Sequence, residues 1–545
     1  MIYHPTIIIL ASVIALIIYY KQERTFSFIA LSMPIIVAIF FYNLPVSSTI
    51  SLFNLTIIYE VSSYNKLIGT AFILVLFSAN LYALGQKKKP ELILGSAYGA
   101  FAFFCLLAGD FLSMFVGLEL MMVLSCVIIF IGGMRASLRS AKKYFLTHLM
   151  SSNMIIIGIT HLITKNNSLA LVPITELLDN PEYSTVILAI MLTGMLINIA
   201  AFPFSGWMVN YYPKASPSGF LYLISFTTKV SMMLLIKLFA GYEPLKYVAI
   251  IMVLYASIKS IFEDNLLSLL CYLSIMAMGL MLLGVSYGSK PVILATVSYL
   301  FIHIIYKLLL SISIASIIDQ AGITNCLQLK KIDCRVITAG LVIGVAMMIN
   351  VPATSTFYIK SSISHVFAGD PIYLVTLFLS FMTILALPWK RYFSSKEHIN
   401  IKLNIYSKYS ILSVSITLLI VGIAGRILPV ISQVKTFKEI SIFSVDLQKQ
   451  VAIMLITVGL AMLYNTRRKN TRPINFIEWI GKILFYCDAQ WLKQTDKEHI
   501  KEPLAIESLE RQVSSKLSSI HTQQTAIFVV FTIFIVMLIV LTTSV

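Results

Sequence analysis

Long apolar runs recur from one end of this chain to the other, and they leave few folds open. Stretches such as TIIILASVIALIIYY, TAFILVLFSANLYALG and VAIMLITVGLAMLY alternate with short polar connections. Helical segments of about 18 or more such residues match the hydrocarbon thickness of a bilayer. In lipid each backbone N–H and C=O needs a partner within the protein, and a helix supplies these within one segment. The alternating strands of an outer-membrane barrel are absent from the sequence. With 58% hydrophobic and 12% charged residues, the chain reads as an all-α polytopic membrane protein of about 14–16 spans. The first run, preceded by MIYHP, lacks a basic leader and a small-residue cleavage site, so it reads as a retained span.

The net charge of +17 would suggest nucleic acid in a soluble protein. Here the basic residues gather in alternate connections: KQER, Lys87 to Lys89, RASLRSAKK, KKIDCR, KRYFSSKEH and NTRRKNTR each follow an odd-numbered span. The positive-inside rule then predicts an external N-terminus and a cytoplasmic polar block from about Asn465 to Gln524. No nucleic-acid partner is expected. The cysteines Cys105, Cys126, Cys271, Cys326, Cys334 and Cys487 form no C-x-x-C pair, so packing roles are expected and no metal or iron–sulfur cofactor. Neither a Walker-type phosphate loop nor a dinucleotide fingerprint occurs, so no redox or nucleotide site is expected in this chain.

The informative residues are charges inside apolar runs, because each costs about 2.5–3.5 kcal/mol on insertion scales and survives by facing a polar interior. Glu119 lies in GDFLSMFVGLELMMVLSCVIIF, Lys229 in SGFLYLISFTTKVSMMLLIKLFAG, and His303 with Lys307 in SYLFIHIIYKLLLSISIASII. Lys237 and Lys259 sit near span ends, where a lysine can reach the interface. Taken singly, Glu119 also fits a helix-packing partner and His303 a satisfied interior histidine. Lys229 and Lys307 have no short route to water. Buried lysines can exchange protons near neutrality, which makes them candidate relay groups. His303 and Lys307 share a helix face, with Cβ atoms about 5–6 Å apart. Two apolar regions are interrupted by proline, at Pro203, Pro213 and Pro217 and again at Pro352 before Lys360. Such paired interruptions mark transporters with discontinuous helices in inverted repeats. A plain proline loop between spans accounts for them equally well.

These segments together resemble the antiporter-like membrane subunits shared by Mrp multisubunit cation/proton antiporters and respiratory NADH:quinone oxidoreductase, the D-type branch of the Mrp subunits above all. GDFLSMFVGLELMM is similar to the family's D-L-L-x-x-F-x-x-x-E-L-M, and ASLRSAKKYFLTHLMSS to its A-x-x-K-Y-F-L-x-x-x-x-S. AAFPFSGWMVNYYPKASP, FTTKVSMMLL, YLSIMAMGLMLLGV, HIIYKLLLSISIASII and NVPATSTFYIKSSI follow in the family's order. The resemblance implies two inverted five-helix repeats containing broken helices, forming half-channels joined by a hydrophilic axis. By position, Glu119 would pair with the channel lysines, Lys229 would bridge the halves, Lys307 would be the central lysine with His303 as relay, and Lys360 the exit lysine. The implied function is a proton-translocating subunit of a cation/proton antiporter. A proton-pumping subunit of a respiratory oxidoreductase and a transport-degenerate structural subunit are the alternatives. Implied partners are other membrane subunits of such a complex, protons, Na+ and the lipid of a bacterial plasma membrane. The sequence departs from the family at Asn198, where a lysine is usual, in WMVN (Trp207 to Asn210) for W-L-P-D, and in NLLS (Asn265 to Ser268) for D-L-K-R.

The expected organisation is N-terminal helices over 1–90, a translocating core over 91–390, further spans over 391–465, a cytoplasmic segment over 466–525 and a last span over 526–545. In the cytoplasmic segment Phe476, Trp479, Ile480, Ile483 and Leu484 recur at helical spacing, suggesting an amphipathic helix on the cytoplasmic membrane surface or against a partner subunit, and a helix packed on its own protein fits the spacing equally well.

Overall fold

The computed structural model describes residues 4–52, 55–133, 135–178, 180–351, 354–357, 359–360 and 397–424. Pro352, the amphipathic segment and the last expected span lie outside the described residues. Among the described residues nine helical segments are long and apolar enough to cross a membrane. Three shorter apolar helices accompany them. In chain order the helices are α1 (Pro5–Ile18), α2 (Glu23–Tyr42), α3 (Ser63–Gly85), α4 (Lys89–Leu106), α5 (Phe111–Phe130), α6 (Arg135–Asn166) and α7 (Thr185–Asn198). They continue with α8 (Gly206–Tyr211), α9 (Pro217–Ser225), α10 (Thr227–Phe239), α11 (Leu245–Phe262), α12 (Leu266–Tyr287), α13 (Lys290–Ala321), α14 (Arg335–Met348) and α15 (Ile405–Ala424). The chain is thus a multi-pass helical membrane protein.

Two kinds of connection mark the two ends of the bundle. Lys89 Nζ donates to Tyr20 O and Glu23 Oε1 at 2.7 Å, so the basic turn after α3 meets the basic turn after α1. On the other side, strands β1 (Ser47–Leu52) and β2 (Leu55–Glu60) form an antiparallel hairpin between α2 and α3. Gly109 N–H donates to Ile58 O, and Phe111 N–H to Leu169 O, which ties the hairpin to the α4–α5 and α6–α7 connections. Asp110 organises that junction. Its carboxylate caps α5 through Ser113 N–H at 2.6 Å and accepts the Ile58 N–H at 2.7 Å, satisfying donors that would otherwise be orphaned. At Asn265 the amide oxygen accepts from Leu267 and Ser268 N–H at 3.0 Å and so caps α12; asparagine performs the capping that the family's aspartate could.

The ends of α7 and α14 are built alike, although more than a hundred residues separate them. In each, an N–H reaches the carbonyl five residues back, Ala201 to Leu196 and Val351 to Ala346, in the pattern of a Schellman turn. The residue that lets the chain turn has left-handed backbone: Ala200 with φ 60° and Asn350 with φ 57°. Asparagine tolerates this region, whereas alanine carries a Cβ penalty. Ala200→Gly is therefore expected to stabilise the protein by about 1 kcal/mol, read as a higher melting temperature in mild detergent. A lower melting temperature would show that the Ala200 methyl contributes packing that outweighs the strain.

The long helix α13 is the core of the described bundle, packed by α3, α9, α10, α12, α14 and α15. At 32 residues and 1.5 Å per residue it is about 48 Å long, more than the hydrocarbon layer requires.

Candidate functional site

Tyr299, His303, Tyr306 and Lys307 fall on one face of α13 by helical spacing, and all four are buried. Both ring nitrogens of His303 and Nζ of Lys307 meet no hydrogen-bond partner among the described residues. Lys307 and Lys229 are close enough to interact electrostatically, and His303 feels Lys229, Lys307 and Lys360 together. The fold thus brings together residues that lie far apart along the chain. Lys360 Nζ lies 4.9 Å from the centre of the Tyr299 ring, a cation–π distance. The Tyr299 and Tyr306 hydroxyls are 3.5 Å apart, and the His303 ring stands edge-on to Tyr306 at 5.2 Å. Neither tyrosine is conspicuous in the sequence. Their only signal there is the period shared with His303 and Lys307.

Lys229 sits where its span breaks. The apolar run from Pro217 to Phe239 is buried except at Pro217 and Lys237, which are half-buried, and it divides at Phe226 into α9 and α10, without proline or glycine at the break. Ser225, Thr227 and Thr228 flank the division. The Tyr98 hydroxyl accepts the Thr227 N–H at 3.1 Å and also meets Thr227 Oγ1. Lys229 Nζ donates back to Ile224 O. That carbonyl belongs to the last turn of α9, whose final carbonyls lack helical partners and carry the negative end of the helix dipole. Position therefore explains why a charge occurs in mid-span: the ammonium satisfies a broken helix.

In the first half of the bundle the expected partners are rearranged. Glu119 on α5 has the Ser152 hydroxyl beside its carboxyl, and Oε1 meets no hydrogen-bond donor among the described residues. Among the described residues no lysine stands at ion-pair distance from it, in contrast to the pairing that the resemblance implies. Asn198, the last residue of α7, accepts from His148 Nδ1 at 2.9 Å and lies 3.0 Å from Ser151 Oγ. The His148 ring is enclosed by Tyr144 at 4.3 Å and Trp207 at 4.6 Å between centres. Trp207 in turn donates Nε1–H to Ile197 O at 2.9 Å, at the broken end of α7. His148, Asn198, Ser152 and Thr227 line one small cavity. Sequence reasoning passes over His148, because it lies in an amphipathic stretch where one histidine is unremarkable.

Contact by contact, these groups form a line of neighbours: Thr227 lines the His148 cavity and lies two residues before Lys229 on α10, Lys229 is in electrostatic reach of His303 and Lys307, and His303 adjoins Tyr306, whose hydroxyl faces that of Tyr299 under Lys360. Among the described residues no carboxylate pairs with Lys229 or Lys307.

The family described as "NADH:quinone oxidoreductase/Mrp antiporter, TM" matches residues 108–384, just over half of the chain. An N-type NADH-quinone oxidoreductase subunit of Pelagibacter ubique is 26% identical over 292 residues, 50% of this chain and 61% of that protein. A D-type Na(+)/H(+) antiporter subunit of Bacillus subtilis is 22% identical over 327 residues, 56% of this chain and 65% of that protein. The chain thus spans less than two thirds of either relative's length. A chain of the Mrp complex structure from Dietzia sp. has the same fold, with TM-score 0.68, 16% identity and coverage of 83% of this chain and 99% of that one. With its matched region enclosing Glu119, Lys229, His303, Lys307 and Lys360, this chain belongs to the NADH:quinone oxidoreductase/Mrp antiporter family of membrane subunits.

Proposed function

We propose that the chain is the proton-translocating subunit of a multisubunit monovalent cation/proton antiporter, like the D-type Mrp subunits, in which protons pass along the line from the His148 cavity to Lys360. The observation that carries this reading is the buried set of Lys229, His303 and Lys307, mutually in electrostatic reach and, for His303 and Lys307, without hydrogen-bond partners among the described residues. Leaving such groups unpaired in a membrane interior opposes folding, so their retention fits use as relay groups. Residues 91–390 are the translocating core on this reading, with the flanking helices as support. The basic connections after α1 and α3 favour an external N-terminus in a bacterial plasma membrane. Partners would be other membrane subunits of the complex, and the cargo protons exchanged against a cation such as Na+.

The second reading, a proton-pumping subunit of a respiratory oxidoreductase, is favoured by the similarity to the N-type oxidoreductase subunit. Extraction from the native membrane in mild detergent followed by mass spectrometry separates the two. Small hydrophobic subunits of the Mrp kind are expected to co-purify. Flavin and iron–sulfur proteins in their place would move the assignment to a respiratory pump, and purification without partners would favour a structural or stand-alone role.

A further inference from the structure

Asn198 occupies the place where the family usually has a lysine, yet the first half of the bundle still holds a titratable nitrogen beside it. We propose that His148 is the proton-accepting group of the first half, that Asn198 is its positioning residue, and that Glu119 is the nearby counter-charge. This deepens the functional reading above and rests on it.

The geometry assigns the roles. Asn198 Oδ1 is an acceptor, so the hydrogen bond at 2.9 Å places a proton on His148 Nδ1. In the neutral ring the lone pair is then on Nε2. That nitrogen is buried, meets no partner among the described residues, and belongs to a side chain lining the cavity. His148 itself is 4% exposed. The groups around it are few. Tyr144 comes from its own helix, Trp207 from α8, Asn198 from α7 and Thr227 from α10, while Tyr212 packs on Tyr144 and Trp207. Among the described residues the ionisable carboxyl near the cavity is that of Glu119, beside the lining residue Ser152, and its Oε1 is also without a protein partner. Glu119 and His148 therefore supply the acid and base that the family's glutamate–lysine pair would supply.

The step is a proton transfer with no other bond made or broken. A proton arriving in the cavity adds to Nε2, giving an imidazolium that keeps its Nδ1–H bond to Asn198. It leaves from Nε2 toward Thr227, whose hydroxyl adjoins Tyr98 and Tyr212 and which lies just before Lys229 in the chain. The break between α9 and α10 is thereby placed at the junction of the two halves.

The test uses the intact complex in everted native-membrane vesicles, with NaCl pulses and a pH-sensitive dye reporting proton movement. His148→Gln is expected to lower flux about a hundredfold, and His148→Gln with Asn198→Lys to recover much of it, because the lysine restores a titratable group. Lys307→Met serves as the control for the shared route, and Asn198→Lys is not expected to rescue it. If wild type is active and Lys307→Met inactive, but His148→Gln retains full flux, the His148 assignment is overturned while the functional reading stands. If wild type moves no protons under any gradient, both fall. A separate measurement covers failure of His148→Gln to assemble: Asn198→Leu removes the acceptor for Nδ1 and is expected to move the midpoint of the flux–pH profile by about half a pH unit or more. An unmoved midpoint overturns the positioning role.

Discussion

Replacing Lys307 by methionine is expected to abolish the proposed cation-driven proton movement, leaving about one hundredth of the wild-type rate or less, while the amount of folded protein in the membrane stays the same or rises. The two halves of this expectation have one cause. Lys307 lies at the middle of α13, is 1% exposed, and its Nζ meets no acceptor among the described residues. An ammonium at that depth costs about 2.5–3.5 kcal/mol on insertion scales, and methionine of similar length removes the cost without leaving a large cavity. Proton flux in vesicles and the melting temperature of the purified complex check both parts. Flux near the wild-type level would show that protons do not pass along α13, and a large fall in melting temperature would make Lys307 a structural residue.

Lys229 is expected to behave differently. Lys229→Met should also lose transport, but with a loss of stability of about 1–3 kcal/mol, the range for a buried polar group left without its partner. The partner in question is Ile224 O, at the end of α9. Glutamine supplies an N–H donor on a shorter side chain than lysine and cannot carry a proton through the cycle. Lys229→Gln should therefore recover part of the stability and none of the flux. Melting and transport measured on the same two preparations decide the case. Equal stability of the methionine and glutamine variants would mean that the Ile224 carbonyl finds another donor, and transport in the glutamine variant would remove Lys229 from the proton route.

The contrast between these lysines also shows what a membrane sequence can reveal. Both are conspicuous because lipid makes a mid-span charge expensive, and that physics depends on the local run of residues alone. The same reasoning reaches Glu119 and His303, while Lys360 stands out by following a proline interruption. Helical spacing places His303 and Lys307 on one face. Helix class and the alternation of basic connections are legible for the same reason. Hydropathy and charge act over one span at a time.

Tyr299, Tyr306 and His148 are not legible in this way. The tyrosines are neutral and carry a small insertion cost, and His148 lies in an amphipathic stretch among other polar residues, so nothing in either run marks them, and their significance comes from what approaches them: Lys360 over Tyr299, Asn198 against His148. The break at Phe226 is equally hidden, since no proline or glycine announces it and Tyr98 and Lys229, from different helices, close the freed backbone groups. The sequence by itself determined that the chain is a bundle of membrane helices with ionisable groups in its interior, because segment length, hydropathy and insertion cost are properties of contiguous residues. Only the tertiary structure decided which of those groups meet, that Glu119 stands beside Ser152 with no lysine at ion-pair distance among the described residues, and that Asn198 holds a histidine, because those pairings depend on side-chain approach between helices that the chain keeps dozens of residues apart.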